Sequence, residues 1–281
     1  MTPEGVFIRH PDKLFIGGEW VAPLSGESIE VESPVTEEIV ARVAAAGNAD
    51  MDRAVAAARE AFDHGPWPTT PPAERGAMLM KLADALERRV PEIAAAWCAQ
   101  IGGLQKNSIP MQMGSVMGLR GIAALGQSFP WTDKRKGQNV DTAVIVREPV
   151  GVVVGIAPWN APFGIMMNKV GYSLIAGCTV IMKPSPETPL EAYIIAEAAE
   201  EAGLPPGVVN LVPADRDASD HLIHSRDIDK VSFTGSSAAG MHIASVCGAK
   251  MTRATFELGG KSAAIVRDDY PIEAAANILC N

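Results

Sequence analysis

The chain has 281 residues and a mass of 29.6 kDa, with 47% hydrophobic and 20% charged residues and a formal charge of 24 − 33 = −9. That is an ordinary globular composition, long enough for one large domain or two ordinary ones. The acidic balance argues against a nucleic-acid or anionic-membrane surface, because both need clustered Lys and Arg.

The one dense basic run, Lys134-Arg135-Lys136, follows Asp133 and reads as a solvated turn. Cys98, Cys178, Cys247 and Cys280 lie far apart without a CxxC pair, so neither a zinc site nor a disulfide framework is expected. The opening "MTPEGVFIRHPDKLFIGGEW" has no apolar core of a signal peptide, and no run is long enough to cross a bilayer. A soluble protein of the reducing cytoplasm is expected.

After an irregular opening, "NADMDRAVAAAREAF" predicts a helix with Asp50 as its N-cap. "PPAERGAMLMKLADALERRV" and "PEIAAAWCAQIGG" predict two more, with Pro91 suited to the first turn of the latter. "MQMGSVMGLRGIAALGQSF" is a fourth, weakened by glycines, whose methionines are read as core filling. Residues 131–149 pass from a polar turn into β-branched alternation, an extended hairpin or arm.

From Val150 strands and helices alternate. "VGVVVGIAP", "TVIMKPS", "GVVNLVP", "DKVSFTG" and "TFELGG" read as strands, the first continuous enough to be buried on both faces. "PFGIMMNKVGYSLIAGC", "TPLEAYIIAEAAEEAG", "DHLIHS" and "SAAGMHIASVCG" read as the helices between them. This implies an α/β fold, a doubly wound, Rossmann-like parallel sheet behind an N-terminal helical layer. Ligands of such sheets lie beyond the carboxyl ends of the strands.

Four strand ends carry polar groups there. In "IAPWNAPF", Asn160 is either a turn cap or an amide aimed at a developing oxyanion. In "MKPSPETPL", Lys183 either donates to ribose and phosphate or snorkels at a sheet edge. In "SFTGSSAAG", Gly235 and Gly240 bracket Ser236 at a helix start, which is either a phosphate site or an ordinary capped helix. In "TFELGGK", Glu257 is either a solvent-exposed turn residue or a general base raised by apolar surroundings. His221 and His224 share a helix face without a third ligand nearby, and no GxSxG elbow is present.

Taken in order, "PWN" at 158–160, "KPS" at 183–185, "FTGS" at 233–236 and "ELGGK" at 257–261 closely resemble the aldehyde dehydrogenase superfamily. The resemblance runs over essentially the whole chain. It implies that Asn160 stabilises the oxyanion, that Glu257 activates the deacylating water, and that Lys169 supports proton movement. It places the cofactor, NAD or NADP with NAD favoured, against Ile156, Ala157, Pro158, Trp159, Lys183, Ser185, Pro186, Phe233, Gly235, Ser236, Gly240, Leu258 and Gly259. The reaction implied is oxidation of an aldehyde through a cysteine thiohemiacetal and thioester.

The same resemblance implies a dinucleotide-binding domain over 1–130 and 150–259. Residues 131–149 become an oligomerisation arm for a homodimer or homotetramer, and 260–281 the start of a largely absent catalytic domain. Relatives carry their nucleophile in an N-x-G-Q-x-C run. With Asn281 as its first residue, the nucleophile falls beyond this chain, and Cys280 is expected to be a buried helical thiol. The chain by itself is then expected to be inactive, the alternative being a non-catalytic nucleotide-binding or assembly module. Two departures stand out. Many relatives carry an acidic residue three positions after the lysine, on the adenosine ribose; here Pro186 stands there, so repulsion of a 2′-phosphate is expected to be missing. The loop after "VVNLVP", commonly glycine-rich, reads "ADRDASD". Phe163 and Met167 are expected at an apolar mouth for the aldehyde.

Overall fold

The computed structural model describes residues 3–280. The opening is not irregular. It forms β1 (Leu14–Ile16) and β2 (Glu19–Val21), then β3 (Ser28–Glu32) and β4 (Ile39–Ala44). β1 and β2 have three residues each, too brief to show period-two alternation, whereas β3 does alternate polar and apolar residues. The helices α1 (Asn48–Asp63), α2 (Pro72–Arg88), α3 (Val90–Ile101) and α4 (Gln105–Ser128) follow. Asp50 does not cap α1. Gly47 is the N-cap, and Asp50, three residues later, accepts from its N–H at 3.2 Å and from that of Leu24.

The arm is present as β5 (Thr132–Arg135) and β6 (Ala143–Val146), an antiparallel pair separate from the main sheet. Lys134 and Arg135 thus lie in a strand rather than a turn, with Arg135 paired to Asp133 at 2.7 Å. The alternating half comprises β7 (Val152–Ile156), α5 (Pro162–Ile175), β8 (Thr179–Lys183), α6 (Leu190–Glu201) and β9 (Val209–Leu211). It continues through α7 (Arg216–His224), β10 (Lys230–Gly235), α8 (Ser237–Lys250), β11 (Arg253–Leu258) and α9 (Ile272–Leu279).

The main sheet runs β11-β10-β7-β8-β9-β1-β2. Its first five strands are parallel, while β1 pairs antiparallel with both β9 and β2, so an N-terminal hairpin closes one edge. Every residue of β7 and β8 is buried, as a sheet covered on both faces requires. Val180 and Met182 point into a core with Leu79, Ile93, Phe163 and Tyr193, from α2, α3, α5 and α6. Val152, Val154 and Ile181 point the other way, against Met51, Leu222 and Ile243 from α1, α7 and α8. That is the doubly wound arrangement.

The methionines of α4 do not all fill the core. Met113 packs against it, but Met111 and Met117 are exposed. No residue of α9 is buried, and Cys280, its C-cap, is exposed rather than buried, because no described element packs over that helix. Asn281, the expected start of the nucleophile run, lies outside the described residues. Among the described residues no helix is long and apolar enough to cross a membrane.

Candidate active site

Parallel pairing brings the four strand ends together. Ile156 lies opposite Lys183 on one side and Phe233 on the other, while Thr234 lies opposite Glu257 and Gly235 opposite Leu258. Ala157 continues the ladder past the strand end, donating to the Lys183 carbonyl at 3.3 Å. Four motifs spread over a hundred residues therefore face one cavity of about 1380 Å³. Its walls include Ile156, Ala157, Pro158, Trp159, Asn160, Lys169, Lys183, Ser185, Phe233, Gly235, Ser236, Glu257, Leu258 and Gly259.

Two of the expected residues are not in that wall. Pro186 lies beyond it, and Gly240 acts through packing: a Cβ there would come within 2.5 Å of the Leu258 side chain, so its absence lets α8 approach β11. Phe163 and Met167 are buried in the core under α5 and form no mouth.

The loop at 157–161 turns sharply from β7 into α5, whose first residue is Pro162. Trp97 of α3 donates its ring N–H to the Asn160 carbonyl at 3.4 Å, tying the loop to the helical layer. The Asn160 side chain is exposed at the cavity.

Lys183 is 7% exposed. Burial pushes its ammonium down to about 8, against the opposing charges of Glu187 and Asp215. Ser185 donates its hydroxyl to Glu187. The position after Pro186 thus supplies a carboxylate whose charge acts on Lys183, although Glu187 itself is not in the cavity wall. The "ADRDASD" stretch is likewise not an open loop. Asp215 accepts from Ala218 N–H at 2.9 Å and starts α7 directly. A helix cap replaces the glycines.

At the start of α8 the Ser236 hydroxyl accepts from Ala239 N–H at 3.2 Å. The N–H groups of Ser237 and Ala238 lie in the first turn, where the helix supplies no partner, and the positive end of its dipole points toward the cavity. Gly259 and Gly260 leave open space where side chains would stand. A cationic donor, helix N–H groups and unfilled volume together suit a dinucleotide with a pyrophosphate.

Glu257 is exposed, so the apolar surroundings expected of it are absent. Its neighbour across the cavity is Lys169, 8% exposed, whose ammonium burial pushes down to about 8, opposed by the charge of Glu257 and reinforced by that of Lys230. Lys169 donates to Ser232 at 3.2 Å and Thr234 at 3.0 Å. Those two hydroxyls were missed in the sequence, although Lys230-Ser232-Thr234 alternating with Val231-Phe233 marks one polar strand face. The only described cysteine in the cavity wall is Cys178, and burial pushes its thiol up, the reverse of what a nucleophile needs. His221 pairs with Asp52 at 2.8 Å on the exposed surface and takes no part.

The aldehyde dehydrogenase family model matches residues 20–281. The chain belongs to the aldehyde dehydrogenase family. It is 42% identical to the geranial dehydrogenase of Castellaniella defragrans, over 95% of this chain and 56% of that protein. It is 41% identical to the cytosolic aldehyde dehydrogenase 1 of Rattus norvegicus, over 95% of this chain and 54% of that one. Among solved structures it superposes on the Mycobacterium tuberculosis aldehyde dehydrogenase complexed with NAD+ with a TM-score of 0.91 and 42% identity, covering 95% of this chain and 55% of that one. The chain spans about half the length of the relatives it matches.

Proposed function

We propose that this chain carries the dinucleotide site, the general base and the oxyanion amide of an NAD(P)-dependent aldehyde oxidation. The observation that carries the reading is the convergence of Asn160, Lys183, Ser236 and Glu257 on one cavity at the carboxyl ends of parallel strands. Residues 1–130 and 150–259 form the dinucleotide-binding unit, and 260–281 begin a second. The arm at 131–149 serves a homodimer or homotetramer, in keeping with the exposed Val144, Ile145 and Val146 along β6. The cytosolic relative supports a cytoplasmic setting.

Lys183 and Ser185 would hold the adenosine side, the first turn of α8 the pyrophosphate, and Phe233, Leu258 and Gly259 the inner end. NAD or NADP, when bound, accepts a hydride from the aldehyde carbon. Asn160 contributes an NH₂ to the oxygen that becomes negatively charged when the carbonyl is attacked. Glu257, exposed to solvent at the cavity, accepts the proton of the water that releases the acid. Lys169, poised by burial near neutrality, takes part in passing that proton on. Cys178, the described cysteine in the cavity wall, has its thiol pushed up by burial and is not assigned the nucleophile's part.

The reading is tested by titrating the chain with NADH while following tryptophan fluorescence, since Trp159 lines the cavity. One-to-one binding that quenches Trp159 is expected, with the quench lost in Trp159→Phe. Unchanged fluorescence and no calorimetric heat from a folded chain would refute it.

A further inference from the structure

We propose that the hydroxyls of Ser232 and Thr234 form a cradle that fixes the Lys169 ammonium facing Glu257, making them positioning residues for proton transfer; this rests on the roles proposed above for Lys169 and Glu257. Strand alternation builds the cradle. On β10, Val231 and Phe233 enter the core against α8, which leaves Lys230, Ser232 and Thr234 on the face toward α5. On β11, Arg253, Thr255 and Glu257 fall on that same face, in register with those three residues. Two parallel strands thus present a polar ribbon that ends at Glu257, on the side of α5, which supplies Lys169.

Lys169 reaches this ribbon across β7. Gly155 stands where its stem crosses: a Cβ there would sit 3.4 Å from Lys169 Cβ. The ammonium has three donors. Two go to Ser232 Oγ at 3.2 Å and Thr234 Oγ1 at 3.0 Å, and among the described residues these are its hydrogen-bond partners. Glu257, directly opposite Thr234, acts on it through charge. An ammonium buried to 8% exposure without acceptors would shed its proton. One locked in a direct ion pair would hold it to high pH. Neutral hydroxyls fix the atom's place while leaving the proton exchangeable.

The other titratable groups facing this position are few. Lys230 lies on the same strand and opposes the charge of Lys169. Glu148, Tyr172, Cys178 and Lys261 line the same cavity. Arg120, on the α4 helix packed against α5, is engaged by Asp84 and Glu87.

The test is a titration of the lysine Nζ signals of the whole 281-residue chain by heteronuclear NMR, with Lys169 assigned through Lys169→Met. The wild-type signal is expected to titrate near 8. In Ser232→Ala/Thr234→Val the midpoint should fall by at least about one unit, since even one hydrogen bond to a charged group is worth roughly 1.5–3 kcal/mol and one unit is 1.36 kcal/mol. Thr234→Ser should restore most of the single Thr234→Val shift, which a merely space-filling role would not do. If the double variant does not fold, the two single variants carry the same comparison with smaller shifts. A midpoint unmoved in a folded variant would overturn the cradle, and so would a wild-type Lys169 titrating with the exposed lysines. The readout needs neither cofactor nor turnover, so failure of NADH binding would strike the functional reading and leave this result standing.

Discussion

Lys169 and Lys183 are held at 8% and 7% exposure, and the cost of burying each charge appears as an ammonium near 8 rather than near the value of a free lysine. The folded state therefore binds fewer protons than the unfolded chain between about 8 and 10.4, and stability is expected to rise with pH through that window. At pH 7 both ammonium groups destabilise the free chain. Lys183→Met should raise its stability by roughly 1–3 kcal/mol in urea unfolding while weakening cofactor binding. Cofactor affinity of the wild type should conversely fall as pH rises through 8, when Lys183 loses its proton. At the neighbouring carboxylate, Glu187→Gln removes a negative charge beside Lys183 and should shift preference toward NADP by about tenfold, read as the ratio of NAD to NADP dissociation constants. Glu191 shows the opposite sign. It is fully buried, with one carboxylate oxygen accepting from Gln100 at 2.7 Å and the other without a hydrogen-bond partner, and burial raises it to about 7. The folded state binds the extra proton, so this contribution is complete below about pH 4.5 and lost as pH rises through 7. Glu191→Gln should flatten the difference in urea midpoint between pH 5 and pH 8.

At the scale of elements, α2 and α4 approach so closely that Gly76 and Gly126 each face the other helix's backbone. A Cβ on Gly76 would lie 2.5 Å from the Ala123 carbonyl oxygen, and one on Gly126 would lie 2.4 Å from that of Pro72. Gly126→Ala is expected to cost about 1–3 kcal/mol in denaturant unfolding, since backbone must move. Gly126, one of the glycines that weaken α4 in isolation, is here a reason it packs. Such a reversal cannot be read from sequence, because it depends on which helix lies alongside. The parallel strands were legible, since β7 and β8 lie in dense apolar runs buried on both faces. The β1–β4 strands were not: β1 and β2 have three residues each, and β1 takes its place by pairing with the distant β9. The placement of Asn160, Lys183, Ser236 and Glu257 around one cavity was legible because each stands at the end of a strand or just past it. Ser232, Thr234 and Glu187 escaped because their meaning lies in what they touch, and the exposure of Glu257 and Cys280 escaped because no pattern in the sequence states what covers an element.

For the whole molecule, the sheet order places β10, β7 and β8 side by side, so one cavity collects the ends of three crossovers and of β11. Cofactor binding is the property that this geometry should retain in the chain as it stands, whatever turnover requires beyond it. Isothermal calorimetry of the 281-residue chain with NAD, run beside Lys183→Met and a circular-dichroism check of folding, tests that most directly. The expected result is one site per chain, weakened about ten- to a hundredfold by the substitution, the range set by losing a hydrogen bond from a charged donor. Equal affinity in the two proteins, or a folded chain that gives no heat, would contradict it.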